Sequence, residues 1–135
     1  MKSAYILAGV LLAAILLVSG CTQSSNQQPQ PTSVVKTVEI SAEGFSPATL
    51  EINKGDAVMF VNKDTMPHRP ASAQHPTHKV YPESGGCVGS KFDACKDLAQ
   101  GESWPFIFYQ VGEWKYHDHL NCCTNPAFFG TIVVK

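Results

Sequence analysis

Apolar and polar residues alternate in short runs along this chain, and this pattern limits the fold more than any other feature. In residues 34–42 the alternation places Val38, Ile40 and Ala42 on one side, at the period of two that is typical of a half-buried β-strand. Further segments with this alternation, or with a high content of Val and Phe, are 49–52, 57–61, 101–109, 114–117 and 130–135. After the N-terminal region, no stretch of about 11 residues or more has the period of an amphipathic helix. The sequence therefore predicts an all-β fold, and a β-sandwich rather than a closed barrel.

The first 20 residues are predicted to be a signal peptide. Lys2 precedes an apolar run over residues 4–18, which is shorter than the about 20 residues that cross a bilayer comfortably. The next residues, Val18-Ser19-Gly20-Cys21, resemble a prokaryotic lipobox. We therefore expect an exported chain that is anchored to the cell membrane through lipidated Cys21, with its domain on the extracytoplasmic side. The alternative is ordinary cleavage that leaves Cys21 as a free or disulfide-bonded thiol.

Residues 21–33 are predicted to be a disordered tether, because they contain two prolines and almost no apolar side chain that could be buried. The remaining residues 34–135 have the length of one domain, whose small core needs help from disulfides or a metal. The formal net charge is −1, and the Lys and Arg residues are scattered rather than clustered. A nucleic-acid partner is therefore not expected.

A long irregular segment, residues 67–100, lies in the middle of the domain, and loops of this length tend to be functional. It contains Cys87 and Cys95, and a bridge between them would close a short loop and order it. An exported chain is expected to hold its cysteines as disulfides, and four cysteines besides Cys21 allow three pairings. Because a bridge between the neighbours Cys122 and Cys123 is strained, we favour a pairing in which each of them bonds to Cys87 or Cys95.

Short motifs at both ends of the domain resemble those of plastocyanin-like cupredoxins. In the first half these are Phe45-x-Pro47, Leu50-x-Ile52-x-x-Gly55-Asp56-x-Val58-x-Phe60-x-Asn62 and Pro67-His68; in the second half they are Gly112-x-Trp114-x-Tyr116 and Gly130-Thr131-Ile132-Val133-Val134. The resemblance implies a Greek-key β-sandwich of cupredoxin type, in which the middle segment is a long insertion that contains a disulfide. It also implies that His68 is the first copper ligand.

The expected metal site departs from the family pattern. Cupredoxins typically carry a cysteine two residues after the aromatic that matches Tyr116, followed by a second histidine and a methionine. Here the cysteine position is Asp118, and Phe128 or Phe129 stands near the methionine position. A blue copper site needs a thiolate together with two imidazoles. The resemblance therefore implies one copper ion in a non-blue site.

All five histidines lie within or beside loops at one end of the predicted sandwich. His117 and His119 are two residues apart on a strand, so their side chains leave the same face, opposite to Asp118. In His75-Pro76-Thr77-His78 a turn at the proline could bring both imidazoles to one side. The His-x-His and His-Pro-x-His patterns also resemble motifs of multicopper oxidases. The predicted copper ligands are His117, His119, His75, His78 and His68, with Asp118 as a further ligand or as an acceptor that orients a histidine.

These features favour a copper-binding lipoprotein that holds and transfers copper, or transfers electrons, outside the cytoplasmic membrane. Its expected partners are the membrane and a redox or copper-donor protein. The missing thiolate weakens the case for an electron-transfer function, unless Cys122 or Cys123 supplies a thiolate from another position. The alternatives are a mononuclear copper oxidoreductase, for which few carboxylates are available as acid or base, and a metal-free structural module on the same frame. An enzyme is the less favoured reading of the sequence.

Overall fold

The computed structural model describes residues 32–121 and 125–135 of the chain. Several predicted features lie outside these residues: the signal peptide (residues 1–20), the lipidation site Cys21, nearly all of the tether (residues 21–33), and both Cys122 and Cys123. Within the described residues, no helix is long and apolar enough to cross a membrane.

The described residues form eight short β-strands and one 3-10 turn, which confirms the all-β prediction. In chain order the strands are β1 (Val35–Ser41), β2 (Gly44–Ser46), β3 (Thr49–Ile52), β4 (Ala57–Asn62), β5 (Pro70–Ser72), β6 (Ser103–Ile107), β7 (Gly112–Asp118) and β8 (Phe129–Val134), and the turn is Pro126–Phe128. Six strands end within two residues of the predicted segments. The other two, β2 and β5, have three residues each, which is too short for an alternating pattern to be recognised.

The strands form two four-stranded sheets, with the orders β2-β1-β4-β6 and β3-β8-β7-β5. Each sheet is mixed: β1 with β4 and β3 with β8 are parallel pairs, and the other pairs are antiparallel. The predicted sandwich is therefore confirmed.

The core lies between the two sheets and is filled by every second residue of the strands. In β1, Val38 and Ile40 are fully buried. Phe60 of β4 and Tyr116 of β7 meet across the core, with ring centroids 5.3 Å apart. Gly130 lies opposite Tyr116 in the pairing of β7 with β8, and a Cβ atom at this position would collide with the tyrosine ring. Glycine at this position therefore allows the Tyr116 ring to pack against β8.

The predicted insertion packs into the domain rather than extending from it. Strand β5 lies within it and forms the edge of its sheet by pairing with β7. Its Tyr81, Phe92 and Leu98 are almost fully buried in the core. The segment therefore contributes a strand and core side chains, although its sequence has no strand pattern.

Cys87 and Cys95 form a disulfide within the insertion, with their Cα atoms 5.5 Å apart. This separation is within the range that a disulfide spans without moving the backbone. The favoured pairing of Cys122 and Cys123 with these two cysteines is therefore wrong. Closing the loop between residues 87 and 95 costs less chain entropy than closing the longer loop from Cys95 to Cys122, which favours the local bridge.

Candidate metal centre

Strand β7 sends successive side chains to opposite faces of its sheet, and this alternation separates two groups of polar residues. Tyr116 points into the core, where its ring lies 4.8 Å from that of Phe45. His117 points to the outer face, where its cross-strand partner is Phe129 and the two rings are 6.2 Å apart. His117 is nevertheless fully buried. Something on the outer face must therefore cover it.

His117 is covered by residues 73–80 of the insertion. This segment follows β5 directly and turns back over the outer face of the sheet. The N–H of Ala73 donates to the carbonyl of Lys115 on β7 at 2.9 Å, so the turn begins beside the strand. The turn is closed by N–H donation from His78 to the Gln74 carbonyl at 2.8 Å and from Val80 to the Ala73 carbonyl at 2.7 Å. The His-Pro-x-His segment is thereby placed above His117.

Four histidines meet at this point. The ring centroid of His117 lies 4.9 Å from that of His78, 5.7 Å from that of His75 and 6.2 Å from that of His119. One ligand nitrogen from each ring lies within 4.8 Å of all the others. His78 and His117 are buried, His119 is half-buried, and His75 is exposed. The structure therefore brings together four of the five histidines predicted as ligands, and His75 is the most exposed of the four.

The four nitrogens fit a single metal ion. Imidazole nitrogens bind zinc at about 2.0–2.1 Å, so four of them around one ion lie about 3.3–3.4 Å apart in a tetrahedron and about 2.8–4.2 Å apart in a square plane. The observed upper limit of 4.8 Å lies within about 1 Å of the longest of these separations. Nδ1 of His119 and Nε2 of His78 are already 3.0 Å apart.

His117 carries the clearest sign that a ligand is needed. Both of its ring nitrogens are buried, and neither has a hydrogen-bond partner within residues 32–121 and 125–135. Burying polar atoms without partners costs free energy, and nearly all buried polar groups in native proteins are paired. A metal ion bound to one of these nitrogens would provide the missing partner.

The electrostatics of the site favour the neutral forms of His117 and His119. Burial lowers the pKa of His117 to about 4, and the neighbouring imidazoles of His78, His75 and His119 add to the effect. Burial also lowers the pKa of His119, with smaller contributions from His78 and Arg69. A neutral imidazole offers a lone pair to a metal, whereas an imidazolium does not. Both rings are therefore ready to bind a metal at neutral pH.

Asp93 supports the site and was not predicted from the sequence. Its Oδ2 lies 2.7 Å from Nδ1 of His78, and both side chains are fully buried. A carboxylate at Nδ1 fixes the proton there and leaves Nε2 of His78 facing the other histidines, which is a common arrangement behind metal ligands. In the sequence, Asp93 could be noticed only as a carboxylate close to Cys95. Asp97 is equally close to Cys95, so the sequence does not show which of the two supports a histidine.

His68 does not join the other four histidines, which corrects the expectation of one five-histidine cluster. Its Nδ1 lies 2.8 Å from Oδ2 of Asp118, and its Nε2 lies 3.1 Å from Oδ2 of Asp64. The hydrogen bond from His68 is the main cause of a lowered pKa of Asp64. Both ring nitrogens of His68 are thus engaged by carboxylates, and the ring of Phe128 stacks on it at 5.3 Å. This pocket therefore holds a hydrogen-bonded group of one histidine and two carboxylates.

Asp118 faces the core and serves as a hydrogen-bond acceptor. Besides His68, its carboxylate accepts from the N–H of Arg69 at 2.8 Å, from the N–H of Leu120 at 3.2 Å and from Nδ2 of Asn121 at 2.6 Å. Asp118 was predicted to be either a metal ligand or an acceptor that orients a histidine. In the structure it is an acceptor, and the histidine that it orients is His68.

Two further features border the site. Ligand atoms of Cys87, Asp93 and Cys95 also lie close together, but the two sulfurs are bonded to each other and are not free to bind a metal. A groove of about 600 Å³ opens on the outer face, lined by His75 and by largely apolar neighbours such as Val80 and Phe129. This groove gives small molecules a route to the exposed member of the histidine cluster.

The fold is a β-sandwich of cupredoxin type. A purple cupredoxin from Nitrosopumilus maritimus is similar, with a TM-score of 0.56 and 22% sequence identity over 74% of this chain and 99% of that protein. An oxidised variant of amicyanin has a TM-score of 0.56 and 19% identity, covering 74% of this chain and 81% of its own. A reduced amicyanin variant has a TM-score of 0.53 and 20% identity over 77% and 83%.

No protein-family model matches the sequence. No curated protein matches it either. The likeness to solved structures confirms the predicted cupredoxin fold, and at these identities it concerns the fold alone.

Proposed function

We propose that this chain is a copper-binding lipoprotein that holds and transfers copper outside the cytoplasmic membrane. The copper is bound by His75, His78, His117 and His119 on the outer face of the sandwich. The observation that carries the proposal is the buried imidazole of His117, whose two nitrogens have no partner in the described residues although three other imidazoles surround it. A copper ion would give this group its missing partner and would link the insertion to β7.

The donor set favours copper over other metals. Imidazole suits copper, zinc, nickel and iron, and for a given nitrogen site the affinity of divalent ions is highest for Cu²⁺. Four nitrogens and no thiolate favour a tetragonal Cu(II) site, which is not blue. Bound copper would supply one-electron redox chemistry, while the four histidines hold the ion and Asp93 keeps His78 in the required tautomer.

Transfer of copper is favoured over electron transfer. A blue electron-transfer site uses a thiolate, and Asp118 occupies that position in this sequence. His75 is exposed, while His78 and His117 are buried. One accessible ligand beside buried ones suits stepwise exchange with a copper-donor or copper-acceptor protein, because the partner can replace His75 first.

The test is to load the full-length chain with Cu(II), remove excess metal and measure copper per chain by elemental analysis. We expect one copper ion per chain, a paramagnetic resonance spectrum of nitrogen-coordinated tetragonal Cu(II), and no intense visible band. The absence of stoichiometric copper would refute the proposal and would favour a metal-free structural module. An intense blue band would instead identify a thiolate ligand, which would have to be Cys122 or Cys123.

The membrane anchor is tested separately. In a Cys21→Ser variant the chain loses the proposed acylation site, so we expect it to move from the membrane fraction to the soluble fraction of cells. A Ser19→Ala variant is the matched control, because it changes a neighbouring small residue and keeps the cysteine. A Cys21→Ser variant that stays in the membrane fraction would contradict the lipid anchor.

A mononuclear copper oxidoreductase is the second candidate, and the groove beside His75 favours it. Such an enzyme needs a coordination position that a small molecule can reach. Azide added to the Cu(II)-loaded chain tests this point, since binding at copper alters the paramagnetic resonance spectrum. A spectrum that azide leaves unchanged would remove the oxidoreductase candidate.

A further inference from the structure

Asp93 connects the four-histidine site to the surface disulfide. One of its carboxylate oxygens, Oδ2, lies 2.7 Å from Nδ1 of His78, and the other, Oδ1, accepts the backbone N–H of Cys95 at 2.9 Å. His78 in turn contacts His119 through Nε2. A continuous series of three hydrogen bonds therefore leads from the backbone of Cys95 into the site.

The disulfide holds the Cys95 end of this series in a conformation that is uncommon for a residue with a side chain. Cys95 has a φ of 59°, in the left-handed region, where a Cβ atom is disfavoured. Its N–H reaches Asp93 in this conformation. The bridge to Cys87 restrains Cys95, so breaking the bridge frees Cys95 to leave the left-handed region and withdraw its N–H from Asp93.

The bridge is accessible from solvent, while the groups it supports are not. Cys87 and Cys95 are both exposed, whereas the side chains of Asp93 and His78 are fully buried. A reductant can therefore reach the sulfurs without entering the site. Phe92 and Ala94 have their own anchors, since Phe92 lies in the core and Ala94 N–H donates to the Pro70 carbonyl at 2.9 Å. Loss of the bridge would thus loosen the Asp93 side chain and leave the fold in place.

We propose that Asp93 is the positioning residue for His78 and that the Cys87–Cys95 disulfide makes this support sensitive to redox conditions. An external dithiol transfers two electrons and two protons to the bridge, which breaks the S–S bond and leaves two thiols, while the dithiol becomes a disulfide. In the oxidised chain Asp93 holds His78 with Nε2 toward the site. In the reduced chain this restraint weakens and the metal is released more easily. The inference rests on the proposed function of the four-histidine site.

The experiment measures Cu(II) affinity of the full-length chain by competition with a chromophoric chelator, in the absence of reductant. Asp93→Asn should lower the affinity about 10- to 100-fold, the usual effect of removing a residue that supports a metal ligand. The double variant Cys87→Ser/Cys95→Ser should lower it by a smaller factor. Asp97→Asn is the matched control, because Asp97 is an exposed carboxylate in the same loop that pairs with Arg69, and it should leave the affinity unchanged.

The decisive comparison combines the variants. If the disulfide acts through Asp93, removing the bridge from the Asp93→Asn chain should cause no further loss of affinity, because groups in one hydrogen-bond network are not additive. An equal loss in both backgrounds would overturn the proposed link.

A second readout does not require metal. The Nδ1–H proton of His78 in the metal-free chain should give a slowly exchanging, downfield nuclear magnetic resonance signal that weakens in the double cysteine variant and is lost in Asp93→Asn. If the wild-type chain bound no copper but the signal followed this order, the proposed function would fail and the link through Asp93 would stand. A signal unaffected by the cysteine changes would overturn the link itself.

Discussion

His117 and Asp118 are consecutive residues of β7, and their side chains take part in separate polar groups on opposite faces of the sheet. Asp118 faces the core and accepts hydrogen bonds from His68 and the Arg69 backbone. His117 faces outward into the cluster with His75, His78 and His119. One strand thus borders the hydrogen-bonded pair of His68 and Asp118 on one side and the candidate metal centre on the other.

Replacing both strand histidines should abolish copper binding. His117→Ala/His119→Ala removes two of the four nitrogens, so the loss should exceed the about 10- to 100-fold that removal of a supporting residue causes. The fold should persist, because both rings lie on the outer face rather than in the core. Copper per chain and the far-ultraviolet circular dichroism spectrum measure the two effects. Lys115→Ala, on the same strand and exposed, is the control and should retain full copper binding.

Replacing His68 should lower the stability of the fold and leave copper binding intact. His68→Gln disrupts the hydrogen bond between His68 and the buried Asp118 carboxylate, and leaving a buried polar group without its partner typically costs about 1–3 kcal/mol of unfolding free energy. The copper content should stay at one ion per chain, because His68 is not part of the four-histidine cluster. Urea unfolding and elemental analysis provide the two measurements. A folded His68→Gln chain without copper would show that His68 is a ligand after all.

The metal-free chain should lose stability as the pH falls from about 6.5 toward 4. His117 has a pKa of about 4 in the folded state, against 6.5 for an ordinary histidine. Between these values the unfolded state binds a proton that the folded state does not, so acid favours unfolding, by about 2–3 kcal/mol over the whole range. Above pH 6.5 the ring is neutral in both states and contributes no pH dependence.

Urea unfolding of the metal-free chain at several pH values, with a chelator present, measures this effect. His117→Phe keeps a ring at the position and removes the titrating group, so its stability should decrease less between pH 6.5 and 4. An identical decrease in the two chains would show that His117 does not hold its neutral form in the fold.

The disulfide can be located chemically. Lys91 lies between Cys87 and Cys95, so trypsin cuts the loop and leaves two peptides that only the bridge joins. Non-reducing digestion followed by mass spectrometry should yield this linked pair, and reduction should separate it. A peptide that joins Cys87 or Cys95 to Cys122 or Cys123 would restore the pairing that the structure rejects.

Local sequence patterns were sufficient for the strands and for part of the site. Alternation in β1, β3 and β8 identified those strands to within one residue, because a period of two is a local property of a half-buried strand. The same period placed His117 and His119 on one face. These conclusions depend only on residues that are near each other in the chain.

Only the tertiary structure decided which distant groups meet. His68 and His75 are close in sequence, yet β5 begins between them and sends the chain from the core side of the sheet to its outer face. His68 therefore pairs with Asp118, while His75 joins His117. Asp93 and the Cys87–Cys95 bridge belong to a loop without periodicity, and its position is set by burial of Tyr81, Phe92 and Leu98. Such packing depends on the whole core, which no local pattern specifies.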